Sequence, residues 1–125
     1  MNLATAKKMI ANIHAVRRRS LRKDRTERTV DISAQDLIDI FNRQNGKCHW
    51  TGMELDQKHN YIKGHPMAIS ADRIDNNGNY TPDNIVLCLR MFNLGRSTAT
   101  VDDFQKIMQT VECHFFEKWN TMVYG

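Results

Sequence analysis

The sequence has no apolar run near the ~20 residues that a membrane-spanning helix needs, which excludes an obvious membrane span. Cysteine is scarce: Cys48, Cys88 and Cys113 are odd in number and far apart, which argues against a disulfide framework and for reduced thiols. Internal repeats and low-complexity stretches are missing as well. Aromatic residues make up 8% of the chain, yet hydrophobic residues reach 41%, so the composition is that of a folded globular protein. The opening segment, "MNLATAKKMIANIHAVRRRS", carries its charges after its apolar residues and has no clear cleavage site. It does not read as a secretory leader, and the cytoplasm is the expected compartment. At 125 residues the chain fits one domain with a modest core.

What the chain has in excess is positive charge at one end. Residues 1–28 hold nine Lys and Arg against Asp24 and Glu27, a net of +7, while the remainder carries −3. A basic arm on a slightly acidic body suits a polyanion, although a merely solvated helix face has the same composition. Residues 3–23 read as a helix with Met9, Ile13, Val16 and Leu21 on its apolar stripe. Ser33 and Asp36 form a capping box before a second helix bearing Leu37, Ile40 and Phe41, and Asn45-Gly46 ends it. A strand is expected from Met67 to Arg73, then an irregular "DNNGNYTPDN" loop and a short buried strand, "NIVLCL". "RMFNLGRS" opens a short helix that Gly95 ends. A long amphipathic helix follows, capped by Thr100 with Asp103, its stripe being Phe104, Ile107, Met108, Val111 and Phe115.

In this order of elements Asp72 ends one strand and Asn93 lies on the helix after the next. Strand, loop, strand and helix can fold the two side chains together. A carboxylate and an amide carbonyl are hard oxygen donors, suited to Mg²⁺ or Mn²⁺ rather than to a thiol-loving metal. Such an ion leaves room for waters and a substrate phosphate.

The stretch "SADRIDNNGNYTPDNIVLCLRMFNLGR" resembles the core of the HNH, or ββα-metal, endonuclease family. The lead-in "QNGKCHWTG" and the trailing "STATVDDF" resemble the flanks of phage and organellar members with an S-x-D-R-I-D core, so the likeness runs from about Asp31 to Phe104. The resemblance implies an α+β fold: a compact ββα-metal core, a short antiparallel hairpin plus a helix, flanked by N-terminal, central and C-terminal helices. It divides the chain into a basic arm, 1–28, and an HNH-like nuclease domain, 29–125, that folds as one unit. By position Asp72 and Asn93 are the implied metal ligands, for one Mg²⁺ or Mn²⁺, and Asn84 is the asparagine that fixes the loop. Ser97, where a further ligand sometimes stands, is not expected to bind.

Two departures stand out. Arg73 occupies the usual place of the general-base histidine, and arginine stays protonated at any working pH. It suits the scissile phosphate instead. The base would then be His49, with His59, His65 or a metal-bound water as alternatives, and Asp75 would orient Arg73 or accept a hydrogen bond from the Asn-rich loop. Only one cysteine of each zinc-binding pair is present, Cys48 and Cys88, so no structural zinc is expected and both read as small buried side chains. Trp50 and Trp119 fit core packing better than base stacking; His14, His114 and Cys113 read as structural or exposed. The implied activity is a metal-dependent DNA endonuclease, nicking if it works as a monomer. The alternative is a DNA-binding or regulatory relative without chemistry. The double-stranded DNA partner is expected to meet Arg17, Arg18, Arg19, Arg22, Lys23, Arg25 and Arg96 through its phosphates.

Overall fold

In the computed structural model, residues 1–22 and 28–124 are described, side chains at 20–22, 119–121, 123 and 124 excepted. Helix α1, Leu3–Arg22, starts where the Asn2 side-chain oxygen accepts the Thr5 N–H at 2.9 Å, a cap that satisfies an otherwise orphaned donor. Its Ala6, Met9 and Ile13 are buried on one face. Helix α2, Ala34–Arg43, packs against it with Leu37 and Ile40. The full capping box of Ser33 and Asp36 is present, and Asn45 and Gly46 both take positive φ at its end. A 3-10 turn, Gln57–Tyr61, precedes the hairpin of β1, Ile69–Arg73, and β2, Ile85–Leu89. Helix α3, Arg90–Arg96, follows at once, and α4, Val101–Tyr124, ends the chain. The architecture is α+β, and no helix among the described residues is long and apolar enough to cross a membrane.

The two strands are antiparallel, with Ile69 opposite Leu89 and Asp72 opposite Val86. Every residue of β2 is buried, so this strand is the centre of the core, with Leu87 and Cys88 fully inaccessible. A two-stranded hairpin has two bare edges and is marginal alone. Here side-chain amides take the place of neighbouring strands. Asn60 donates to the Ile69 carbonyl at 3.0 Å and accepts the Ile69 N–H at 2.9 Å, sealing the β1 edge. Gln44 does the same to Leu87 on the β2 edge, at 2.9 Å in both directions. Asn84 repeats the pattern in the loop, accepting the Asp75 N–H and donating to the carbonyls of Asp75 and Asn79.

Some expectations shift. The first strand begins at Ile69 rather than Met67, because residues 65–68 close a turn through an Ala68 N–H to His65 carbonyl bond. Helix α3 runs on through Gly95 and stops at Arg96, with Ser97 at φ 51°. Thr100 accepts the Asp103 N–H as expected, but the α4 stripe is not core. Phe104 is buried, whereas Ile107, Val111 and Phe115 are half or more exposed. Periodicity had marked an apolar face; beyond Phe104 the body does not reach it.

The tight loop gives a test. A Cβ on Gly78 would stand 2.7 Å from the Asn84 amide nitrogen, whereas one on Gly95 would meet nothing within 4 Å. Gly78→Ala is expected to lose about 1–3 kcal/mol in urea unfolding, as overpacking does. Gly95→Ala, within α3, is expected to gain about 0.5–1 kcal/mol from the helical preference alone.

Candidate nucleic-acid interface

Asp72 lies on the hairpin face covered by α3 and is 3% exposed. Its carboxylate accepts three hydrogen bonds. Arg96 donates from Nε to Oδ2 and from Nη2 to Oδ1, both at 2.8 Å, and the Trp50 indole donates to Oδ2 at 3.0 Å. The bidentate fork is the strongest geometry an arginine and a carboxylate can adopt. Arg96 itself is 1% exposed and donates also to the Ala99 carbonyl at 2.6 Å and to the Arg73 carbonyl. The Asp72 hydrogen bonds push its pKa further up, so its charge is fixed. Trp50 completes the shell: Arg96 lies 5.4 Å from its ring centroid, and Phe104 of α4 packs edge-on at 5.0 Å. Arg96 is therefore an internal counter-ion and not a surface contact for DNA, because its fork is consumed by Asp72.

Asn93 donates to Ser70 Oγ at 2.7 Å and to the Ala71 carbonyl at 3.3 Å. A carbonyl can only accept, so the amide nitrogen faces β1. The Asn93 side-chain oxygen, Oδ1, accepts no hydrogen bond from the described residues, whereas its backbone carbonyl accepts the Ser97 N–H at 3.3 Å. Arg73 gives Nη1 to the carbonyls of Asn76 and Gly78, both at 2.9 Å, and lies 4.6 Å from the Tyr80 ring centroid. The loop thus holds Arg73 without Asp75. Asp75 accepts the Asn77 N–H at 2.9 Å, the loop contact, and makes no hydrogen bond to Arg73, whose partners are the Asn76 and Gly78 carbonyls.

Asp72, Arg73 and Asn93 line one open cleft of about 1230 Å³ between α1 and the hairpin. Lys8, Arg17, Arg19, Arg28, Lys63 and Arg90 line it too. Among the described residues seven cations therefore line it against one carboxylate, Asp72, whose charge Arg96 already balances. Arg18 is exposed but does not line the cleft. The Arg22 side chain and all of Lys23 and Arg25 lie outside the described residues. Sequence reasoning missed Lys63, Arg90 and Arg28 as partners of the basic helix, because no local pattern says which loop α1 will face.

His49 is exposed and packs edge-on against Trp50 at 4.6 Å, with Trp50 lying next to Asp72; it does not line the cleft. Partial burial lowers its pKa from 6.5, and the Asp72 carboxylate opposes the shift. His59 and His65 stack on one another at 4.3 Å, also outside the cleft. Cys48 and Cys88 are free buried thiols, and burial pushes the Cys88 pKa far up. Among the described residues no three His, Cys, Asp or Glu side chains gather as a metal site. The donor set fits a resident divalent cation poorly: a guanidinium already fills the cation position at Asp72, and only one lone pair of Oδ1 is left.

Removing one partner of a buried pair strands the other charge, at a cost of about 3–5 kcal/mol. Arg96→Met is expected to lose that much in urea unfolding, and Asp72→Leu with Arg96→Met to recover a large part of it. His49 gives a pH dependence. Its folded pKa is lowered, so the unfolded chain binds the proton more readily, and stability falls as pH drops through 6.5 and below. His49→Gln should flatten that slope in melts taken across this range.

Comparison with protein-family models, curated proteins and solved structures finds no match to this chain.

Proposed function

We propose that this chain binds nucleic acid, with double-stranded DNA as the partner, through phosphate contacts in the basic cleft. One observation carries the reading: among the described residues seven Lys and Arg side chains line a single cleft, and the one carboxylate among them, Asp72, is neutralised from behind by Arg96. Isolated surface cations repel each other and spread out; seven around one concavity raise the local potential and draw in a polyanion. Arg73 suits a phosphate well, since Nη1 is anchored to the loop and its remaining nitrogens make no hydrogen bond to the described residues. Fixed donors lose little entropy on binding.

Metal-dependent hydrolysis of DNA in the same cleft is the second reading, an HNH-type endonuclease using one Mg²⁺ or Mn²⁺. It is favoured by the side-chain oxygen of Asn93, which accepts no hydrogen bond from the described residues and lines the same cleft as Asp72. It requires Asp72 to give up Arg96 for the ion. Binding without cleavage requires no such exchange, which is why it stands first.

Fluorescence anisotropy on duplex DNA across a salt series tests the binding. If about five phosphates are neutralised, log K falls against log salt with a slope of about −4 to −5. Lys63→Ala and Arg19→Ala should each weaken binding and lower the slope by about one. A salt-independent or absent interaction refutes the reading. Supercoiled plasmid with Mg²⁺, Mn²⁺ or EDTA then separates the two: nicking that needs metal and is lost in Asp72→Asn establishes hydrolysis, while binding without nicking leaves the first reading alone.

A further inference from the structure

Cations explain only part of the cleft. Tyr61, Ile62 and Leu94 also line it, and they are 61%, 58% and 60% exposed. Single exposed apolar residues are ordinary, but three around one cleft mark a surface that a partner covers. Tyr61 is rigidly presented. Asn60, the residue before Tyr61, is locked to Ile69 by its amide, and Lys8 donates to the Asn60 carbonyl at 2.6 Å. The Tyr61 hydroxyl lies 3.3 Å from Thr5 Oγ1, and the Lys8 ammonium sits 5.3 Å from the ring centroid. The ring is thus held by its hydroxyl, with Lys8 over one face, while most of its surface stays open. Leu94 comes from α3, the residue after Asn93.

Resting on the reading of the cleft as a nucleic-acid site, we infer that it selects DNA with unpaired bases, such as a short single-stranded gap in a duplex. A ligand that satisfies this surface must carry several negative charges and flat apolar faces at once. Phosphates alone leave Tyr61, Ile62 and Leu94 in water. An intact duplex does too, because its base faces are stacked on one another. In a gapped duplex the flanking phosphates meet Lys63, Arg19 and Arg73, an unpaired base stacks on Tyr61 next to Ile62, and Leu94, on the α3 wall, packs on a neighbouring unpaired base. Aromatic stacking beside a basic groove is tolerant of sequence, since every base has such a face.

The test compares three probes at one salt concentration with the full chain: an intact duplex, the same duplex with a short gap, and the gapped strand's unpaired segment alone. The gapped duplex should bind about ten-fold tighter than the intact one, the effect of one stacked base. Tyr61→Ala should remove most of that preference with little change on the intact duplex, Tyr61→Phe should keep it, and Lys63→Ala should weaken all probes alike. Leu94→Ala, on the other wall, should reduce the preference independently, so a poorly folded Tyr61 variant does not block the test. Equal affinity for gapped and intact duplex overturns the inference while leaving the cleft a DNA site, as does a preference that survives both Tyr61→Ala and Leu94→Ala. Failure to bind any of the three overturns the nucleic-acid reading itself, and binding to an acidic, tyrosine-containing polypeptide instead would name a protein partner.

Discussion

The buried pair of Arg96 and Asp72 joins parts of the chain that sequence keeps apart. Withdrawing two charges from water is costly, and the pair stands only because every good donor and acceptor near it is used. Its guanidinium binds β1 through Asp72 and the Arg73 carbonyl, and the start of α4 through Ala99. Trp50 shares the same carboxylate and is braced by Phe104. One cation therefore fixes how α3, the hairpin, the 48–52 turn and the root of α4 meet, and it leaves the cleft's other charges facing outward.

Around that pair the fold relies on amides where larger proteins use further strands. Asn60, Gln44 and Asn84 each bond both the N–H and the carbonyl of a single residue: Ile69, Leu87 and Asp75. Each such contact satisfies two backbone groups that would otherwise need water or another chain. It also couples the core to the cleft. The amide that seals the outer edge of β1 belongs to the residue that positions Tyr61 at the cleft.

Local chemistry was legible in the sequence; convergence was not. The capping box of Ser33 and Asp36, the turn at Asn45-Gly46 and the order of strand, loop, strand and helix could be read because each lies within a few residues. The Asn84 amide, expected to fix the loop, bonds Asp75 and Asn79 within nine residues of itself. Arg96 could not be read as buried, since an arginine is placed at the surface by default and its partner lies 24 residues away. Asn60 hid in a stretch that composition marks only as polar loop. The stripe on α4 misled for a related reason: a helical period tells which side is apolar, and only tertiary structure tells whether anything lies against it.

Trp50 gives the pair an optical consequence. Its indole N–H bonds the same carboxylate oxygen that receives Arg96 Nε, and the guanidinium stands beside its ring. An indole's emission depends on the charges and hydrogen bonds around it, so the chain carries a native fluorophore wired to its most deeply buried charge. Whatever draws Asp72 away from Arg96, a cation or a phosphate that repositions α3, changes the colour of that light without any label being attached.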